Sequence, residues 1–222
     1  KQVIGLHWVL SFYPLMFAAV ALALPRETLP RAARYLAVFL GLHLLVVGGM
    51  YTRELADWKS VKIYPEIVRS YRTEALLQQV SKPDTVIMAT AYTPAAIYGH
   101  TLKTYVPVFG LGKFHARQDD MLVDYSRFNG KTVGIISFSR PELADYTPYF
   151  DRVYLLELEQ SDARFFVVEG LGFKFETYRQ EVLGEIFKRY YNIPSWLPMT
   201  GCPFCERYCG QVRCPRPDGD AR

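Results

Sequence analysis

Two long apolar runs open the chain, and a mixed pattern of apolar and polar positions follows them. Residues 4–24 (IGLHWVLSFYPLMFAAVALAL) contain no charge. As a helix they would span about 31 Å, the thickness of a bilayer core. Residues 35–51 (YLAVFLGLHLLVVGGMY) are also uncharged, with Tyr35 and Tyr51 placed to lie at the two interfaces. The pattern predicts two transmembrane helices, at 4–24 and 35–51.

The loop at 25–34 sets the expected orientation of these helices. It contains Arg26, Arg31 and Arg34 against one acid, Glu27. Short loops rich in Arg stay on the cytoplasmic side of a membrane. We therefore expect a cytoplasmic loop, and a periplasmic or other non-cytoplasmic location for the chain after the second helix.

The first apolar run has one alternative interpretation, a cleaved signal peptide. Ala21-Leu22-Ala23 resembles a cleavage site, but the run is longer than the usual apolar region and a second run follows it. Within the runs, polar residues are costly and so indicate function or a hydrogen bond to another helix. His7 and His43 are the two candidates, and a structural role is the simpler reading of each.

After a connector at 52–65, short apolar strands alternate with amphipathic helices up to residue 200. Helices are expected at 66–80, from Thr93, at 118–128, at 141–147 and at 175–192. Strands are expected at 85–90, 104–110, 131–139, 151–159 and 163–170. This alternation predicts a three-layer α/β domain, 66–200, with a mainly parallel sheet.

Three acids form the clearest carboxylate cluster in this domain. Asp119, Asp120 and Asp124 lie on one predicted helix, with Asp120 and Asp124 four residues apart on one face. Such a group could hold a cation or serve as acid and base. The alternative is a solvated helix start, where the helix dipole favours acids.

All four cysteines fall in the tail, 201–222. Cys202, Cys205, Cys209 and Cys214 follow the pattern CxxCxxxCx4CP. The spacing suits zinc or an iron–sulfur cluster, and the CxxC unit suits a redox dithiol. A non-cytoplasmic tail instead favours two disulfides, with Cys202 or Cys205 joined to Cys209 or Cys214. We favour disulfides over a metal.

The net charge and the aromatic content indicate which classes of partner the chain would bind. The net charge is only +4 and no basic run is present, which argues against nucleic acid. Aromatic residues make up 15% of the chain, including 16 Tyr, which suits interfaces that are apolar on one side and wet on the other.

Because the chain opens on Lys1 rather than Met, we expect further sequence upstream.

Several stretches resemble one family of membrane enzymes. KQVIGLHWVLSFYP at the start is similar to the entry of a late membrane span in GT-C class glycosyltransferases, which include protein mannosyltransferases and lipid A aminoarabinose transferases. YYNIPSWLPMTGCPFCERY resembles the tails of bacterial members. GKTVGIIS and VFGLGKFHARQDDMLVDYSRFNGK fit the periplasmic C-terminal domain of such proteins. Related tails often carry aromatic residues where Cys205 and Cys209 stand.

The resemblance implies a multi-pass inner-membrane enzyme with a periplasmic C-terminal domain. Such an enzyme transfers a sugar from a polyprenyl-phosphate donor to a glycan, lipid or protein acceptor. Its catalytic carboxylate lies in an early external loop, so no catalytic residue and no cofactor is expected in this chain. The resemblance is compatible with a divalent cation bound to the full-length enzyme.

By position in the resemblance, Lys1 would contact the lipid phosphate and His7 would lie just below it. Lys1 could equally be a topology anchor.

Two other classes of function also fit the sequence. One is a membrane-anchored periplasmic binding or assembly module without catalysis. The other is a metal or redox protein that uses the cysteine tail.

Overall fold

A computed structural model describes residues 12–112, 119–191, 196 and 203–209. The chain divides into two units, Lys1–Asp57 and Trp58–Arg222, and each is described by itself. Some residues singled out from the sequence lie outside the described ranges: Lys1, His7, Cys202 and Cys214.

The described part of the first unit, residues 12–57, contains two apolar helices, α1 (Tyr13–Ala23) and α2 (Leu29–Tyr51). Among the described residues, one helical stretch, Arg26–Tyr51, is long and apolar enough to cross a membrane, and none of its apolar window is buried. Pro30 lies in the first turn of α2, where its missing amide leaves no hydrogen bond unmade. A 3-10 turn, Arg26–Thr28, precedes α2, so most of the predicted loop at 25–34 is helical.

The two predicted spans differ in how far the structure supports them. The second, 35–51, lies wholly within α2. The first, 4–24, is described only from residue 12, and α1 with its 11 residues is shorter than a bilayer core requires.

His43 is exposed on α2, and its Nδ1 lies 2.9 Å from the carbonyl oxygen of Phe39 in the same helix. Its described hydrogen bond is thus local.

The second unit is an α/β fold around a four-stranded sheet. Its helices are α3 (Tyr64–Tyr71), α4 (Thr73–Val80), α5 (Tyr92–Leu102), α6 (Asp119–Leu122), α7 (Phe175–Tyr178), α8 (Gly184–Tyr190) and α9 (Pro203–Tyr208). Its strands are β1 (Thr85–Ala89), β2 (Thr132–Ser137), β3 (Arg152–Gln160) and β4 (Ala163–Leu171). A π-helical segment, Arg179–Leu183, joins α7 to α8 into one continuous helix.

The sheet is mixed, so the prediction of a mainly parallel sheet is wrong. The strand order is β1-β2-β4-β3, and only β1 and β2 run parallel. The pairs β2–β4 and β3–β4 are antiparallel. The reason is local: β3 turns back into β4 through Ser161 and Asp162, which both have positive φ. A two-residue turn of this kind makes a hairpin, whereas a parallel pair needs a much longer crossover.

One predicted strand is not a strand. The segment 104–110 instead runs beside β1 as irregular chain with a single parallel bridge, Ala89–Val108. The amide of Ala89 donates to the carbonyl oxygen of Pro107 at 3.0 Å, and Phe109 donates back to Ala89 at 2.9 Å. Since Pro107 has no amide to donate, it limits the ladder here.

The predicted helix at 66–80 is interrupted. Arg72 (φ −123°, ψ 27°) separates α3 from α4 and redirects the chain. Tyr71, at the end of α3, is 69% exposed. Val68 and Arg69 are buried.

Side chains alternate between the two faces of the sheet. On one face, Gly134 of β2 leaves room for Val80 of α4, and α3 and α5 contact β4 and β1. On the other face, Val133 and Ile135 of β2 join a large aromatic cluster with α7 and α8. The helix predicted at 175–192 is confirmed over Phe175–Tyr190. Of the apolar residues at near-fourfold spacing, Tyr178, Val182 and Ile186 are buried, whereas Tyr190 is half-buried.

Tyr178 lies at the centre of the aromatic cluster and is fully buried. The centroid of its ring is 5.2 Å from that of Phe109, 5.4 Å from that of Tyr125 and 5.2 Å from that of Phe173. Its hydroxyl oxygen accepts a hydrogen bond of 3.0 Å from the amide of Gly110. Tilted and edge-on ring contacts at such distances are favourable beyond the area they bury.

Candidate functional site

Asp119 is buried in the core rather than presented to solvent. Its carboxylate accepts hydrogen bonds from the hydroxyl of Tyr105 and, at 2.7 Å, from the amide of Val108. These bonds tie α6 to the irregular segment beside β1. A carboxylate held in this way stabilises a turn of backbone.

The other two acids of the predicted cluster have different surroundings. Asp120 is fully buried, and its backbone carbonyl oxygen accepts a hydrogen bond from Arg207. Asp124 begins a 3-10 turn, where it accepts from the amide of Ser126 at 3.1 Å and from its hydroxyl at 2.6 Å. The Ser126 hydroxyl lowers the pKa of Asp124 from its ordinary value, and the Ser126 amide adds to the effect. Asp124 therefore acts as a capping residue.

Asp119→Ala is expected to lower the free energy of unfolding by about 2–3 kcal/mol, because two hydrogen bonds to a buried carboxylate are lost. Asp124→Ala is the matched control and should cost about 1 kcal/mol, the usual value of an exposed cap. Urea denaturation of the chain in detergent, followed by circular dichroism, measures both. Equal costs for the two variants would contradict the structural role assigned to Asp119.

The described part of the tail is a short helix docked on the aromatic cluster. Arg207 of α9 donates to the carbonyl oxygens of Met121 at 2.7 Å and Val123 at 3.0 Å, so it caps the end of α6. Arg179 donates to the carbonyl oxygen of Tyr208 at 3.0 Å. Phe204 is buried against Tyr191, with 4.7 Å between the ring centroids. Packing and backbone hydrogen bonds thus hold residues 203–209.

Cys205 and Cys209 lie one turn apart and are not joined to each other by a disulfide. Cys205 is buried and Cys209 is exposed. Burial raises the pKa of the Cys205 thiol to about 12, and its contact with Cys209 adds to the effect. At neutral pH Cys205 therefore stays a thiol and is a weak nucleophile. Pairings that involve Cys202 or Cys214 lie outside the described residues and stay predictions.

A buried cation, missed by the sequence analysis, lies at the carboxyl edge of β1 and β2. Arg69 of α3 is 5% exposed, and its guanidinium carbon lies 4.5 Å from the centroid of the Phe138 ring. Phe138 follows the last residue of β2 and packs on Phe165 of β4, with 5.7 Å between the centroids. The Nε of Arg69 has no hydrogen-bond partner among the described residues.

Tyr98 of α5 is the second aromatic residue beside Arg69. Its side chain is buried, which raises the pKa of its hydroxyl to about 12, while the nearby Arg69 charge acts in the opposite direction. Tyr98 therefore stays neutral at physiological pH. Together Phe138 and Tyr98 give the guanidinium a ring face and a hydroxyl dipole, but no opposing charge.

A cleft of about 360 Å³ lies at the opposite end of β1. Its lining carries no charged side chain among the described residues, and two aromatic rings, Tyr105 and Phe128, contribute to it. The remaining lining residues are Ser81, Thr85, Val86, Ile87, Leu102, Thr104, Val106 and Pro107.

Within the described ranges, no group of three or more His, Cys, Asp or Glu side chains is placed to hold a metal ion. The structure therefore does not bring Asp119, Asp120 and Asp124 together as ligands within the described residues; the carboxylates of Asp119 and Asp124 accept hydrogen bonds from nearby backbone amides instead. Comparison with known proteins adds no relative: no family model, no curated protein and no solved structure matches the chain.

Proposed function

We propose that this chain is the C-terminal part of an integral membrane glycosyltransferase. The enzyme would transfer a sugar from a polyprenyl-phosphate donor to a glycan, lipid or protein acceptor on the non-cytoplasmic side of the inner membrane. The observation that carries the proposal is α2. It is a 23-residue helix whose apolar side chains are exposed along its length and which precedes an α/β unit with its own core.

The exposed apolar surface of α2 needs a non-aqueous environment. Side chains such as Val38, Leu40, Leu44 and Leu45 are 59–75% exposed, and monomeric soluble proteins rarely present so much contiguous apolar surface to water. The helix begins near Arg31 and Arg34, and such a short Arg-rich segment favours the cytoplasmic side. This supports a bilayer location for α2 and an opposite-side location for the α/β unit.

The chemistry in the proposal rests on the family resemblance of four sequence stretches, at both ends of the chain and within the α/β unit. In that family the catalytic carboxylate lies in an early external loop. The buried position of Asp119, whose carboxylate accepts a hydrogen bond from the backbone amide of Val108, agrees with a non-catalytic role for this unit. Its proposed role is to bind the acceptor or to cover the active site.

One observation favours a second candidate, a membrane-anchored periplasmic binding module without catalysis. Arg69 is a buried cation at the edge of the sheet where α/β folds commonly bind ligands, and no described carboxylate pairs with it. The two candidates share the anchored topology and differ in whether the intact protein transfers sugar.

Reporter fusions test the shared topology. A fusion after Arg34 should report cytoplasm and a fusion after Lys59 should report periplasm, because the uncharged run 35–51 lies between these positions. Replacing Arg26, Arg31 and Arg34 together by Gln is the matched control, and it should weaken the orientation by removing the positive charge. Two fusions on the same side would remove the basis for a periplasmic unit.

A further inference from the structure

Arg69 is a feature of the α/β unit to which the proposed glycosyl transfer assigns no role. It is buried, its Nε has no hydrogen-bond partner in the described part of the chain, and no described carboxylate forms an ion pair with it. A guanidinium stays charged at every physiological pH. Burying it without an opposing charge is costly, so a fold that keeps it there needs a compensating partner.

The described neighbours compensate only in part. The ring of Phe138 attracts the guanidinium through its negative face at 4.5 Å. The neutral hydroxyl of Tyr98 forms a side-chain hydrogen bond with Arg69. The Thr73 hydroxyl donates to the backbone carbonyl oxygen of Arg69 and does not bind its side chain. None of these contacts supplies a negative charge.

The position of Arg69 is where a fold of this kind receives an anion. Phe138 lies at the carboxyl end of β2, and β1 runs parallel to β2 and ends beside it. The 11-residue helix α5 begins directly after β1, and its N-cap, Ala91, provides no side-chain hydrogen bond to the helix. A helix start carries positive dipole charge and favours an anion.

Arg69 and the start of α5 lie at the same edge of the sheet. Phe138, which contacts the guanidinium, follows β2, and α5 follows β1, whose carboxyl end lies beside that of β2. Tyr98 of α5 makes a side-chain hydrogen bond with Arg69, which connects the cation to this helix.

We propose that the carboxyl edge of β1 and β2 binds a phosphate-type oxyanion, with Arg69 as its charged donor and the start of α5 as its second donor. The planar fork of a guanidinium matches two oxygens of a phosphate group, which a lysine cannot reproduce. The phosphate could belong to a soluble phosphate or to a lipid headgroup. Both present the same oxygens, so the experiment separates them.

The test uses the whole chain in nanodiscs of zwitterionic lipid. Inorganic phosphate should raise the thermal unfolding midpoint saturably, compared with chloride at equal ionic strength. Arg69→Met should bind phosphate at least roughly tenfold more weakly, since a charge-assisted contact is lost. Arg69→Lys should fall between the two. Arg152→Met is the matched control: Arg152 is an exposed arginine at the opposite edge of the sheet, and its variant should bind like the wild type.

Stability without phosphate separates a binding role from a packing role. Arg69→Met replaces an uncompensated buried charge by an apolar chain of similar length, so it should unfold no earlier than the wild type in chloride. A second arm replaces part of the lipid by phosphatidic acid, without inorganic phosphate. An Arg69-dependent rise in that arm alone would assign the anion to a lipid headgroup. The absence of any Arg69-dependent response in both arms would overturn the proposal. Neither arm contains a sugar donor, so the result is independent of glycosyl transfer.

Discussion

Replacing Tyr178 by alanine is expected to lower the free energy of unfolding of the α/β unit by about 4 kcal/mol. Tyr178 is fully buried, and its ring contacts four others in the cluster that covers one face of the sheet. Removing it leaves a cavity that rigid aromatic neighbours cannot fill by moving. Urea denaturation followed by circular dichroism measures the loss.

Tyr178→Phe is the control for this prediction. It keeps the ring and removes only the hydroxyl, which accepts from the amide of Gly110 at 3.0 Å. The expected cost is about 1 kcal/mol, the usual net value of one hydrogen bond. Equal costs for the two variants would show that the hydrogen bond, and not the ring packing, holds this helix in place.

The elements with strong local patterns could be predicted from the sequence. The helix at 175–192 repeats apolar residues at helical spacing, and Tyr178, Val182 and Ile186 are buried as expected. The apolar run at 35–51 likewise lies within one helix. In both cases the pattern is long enough for packing to follow it.

The short connection between two predicted strands contains the information on the direction of the sheet. Only a few residues separate the strands predicted at 151–159 and 163–170, which is too short for a parallel crossover. Ser161 and Asp162 then form the tight turn. The spacing between strands, more than the order of strands and helices, determined the pairing here.

The candidate site could not be read from local patterns. Arg69 occupies one charged position on a helix, and its burial depends on Phe138 and Tyr98, which lie far away in sequence. For the acids at 119, 120 and 124, the spacing suggests a cation site or a solvated helix start, but Asp119 and Asp120 are buried. Asp119 instead accepts a hydrogen bond from the amide of Val108, a contact that only the tertiary fold provides.

Substitution of Lys1 is expected to have the largest effect on activity. If its ammonium pairs with the phosphate of the lipid donor, Lys1→Ala should lower kcat/KM for the donor by roughly ten- to hundredfold, the value of one charge-assisted contact of about 1.5–3 kcal/mol. Lys1→Arg keeps the charge and should retain most of the activity. Unchanged kinetics in the alanine variant would make Lys1 a topology anchor alone.

The central claim is lipid-linked glycosyl transfer, and its most direct measurement is a transfer assay on the intact enzyme in membranes. The enzyme is supplied with a polyprenyl-phosphate sugar and, separately, with the matching nucleotide sugar in lipid-free buffer. The account predicts transfer from the lipid-linked donor, reduced in Lys1→Ala and restored in Lys1→Arg. Transfer from the nucleotide sugar alone, or no transfer above membranes that lack the protein, would contradict it.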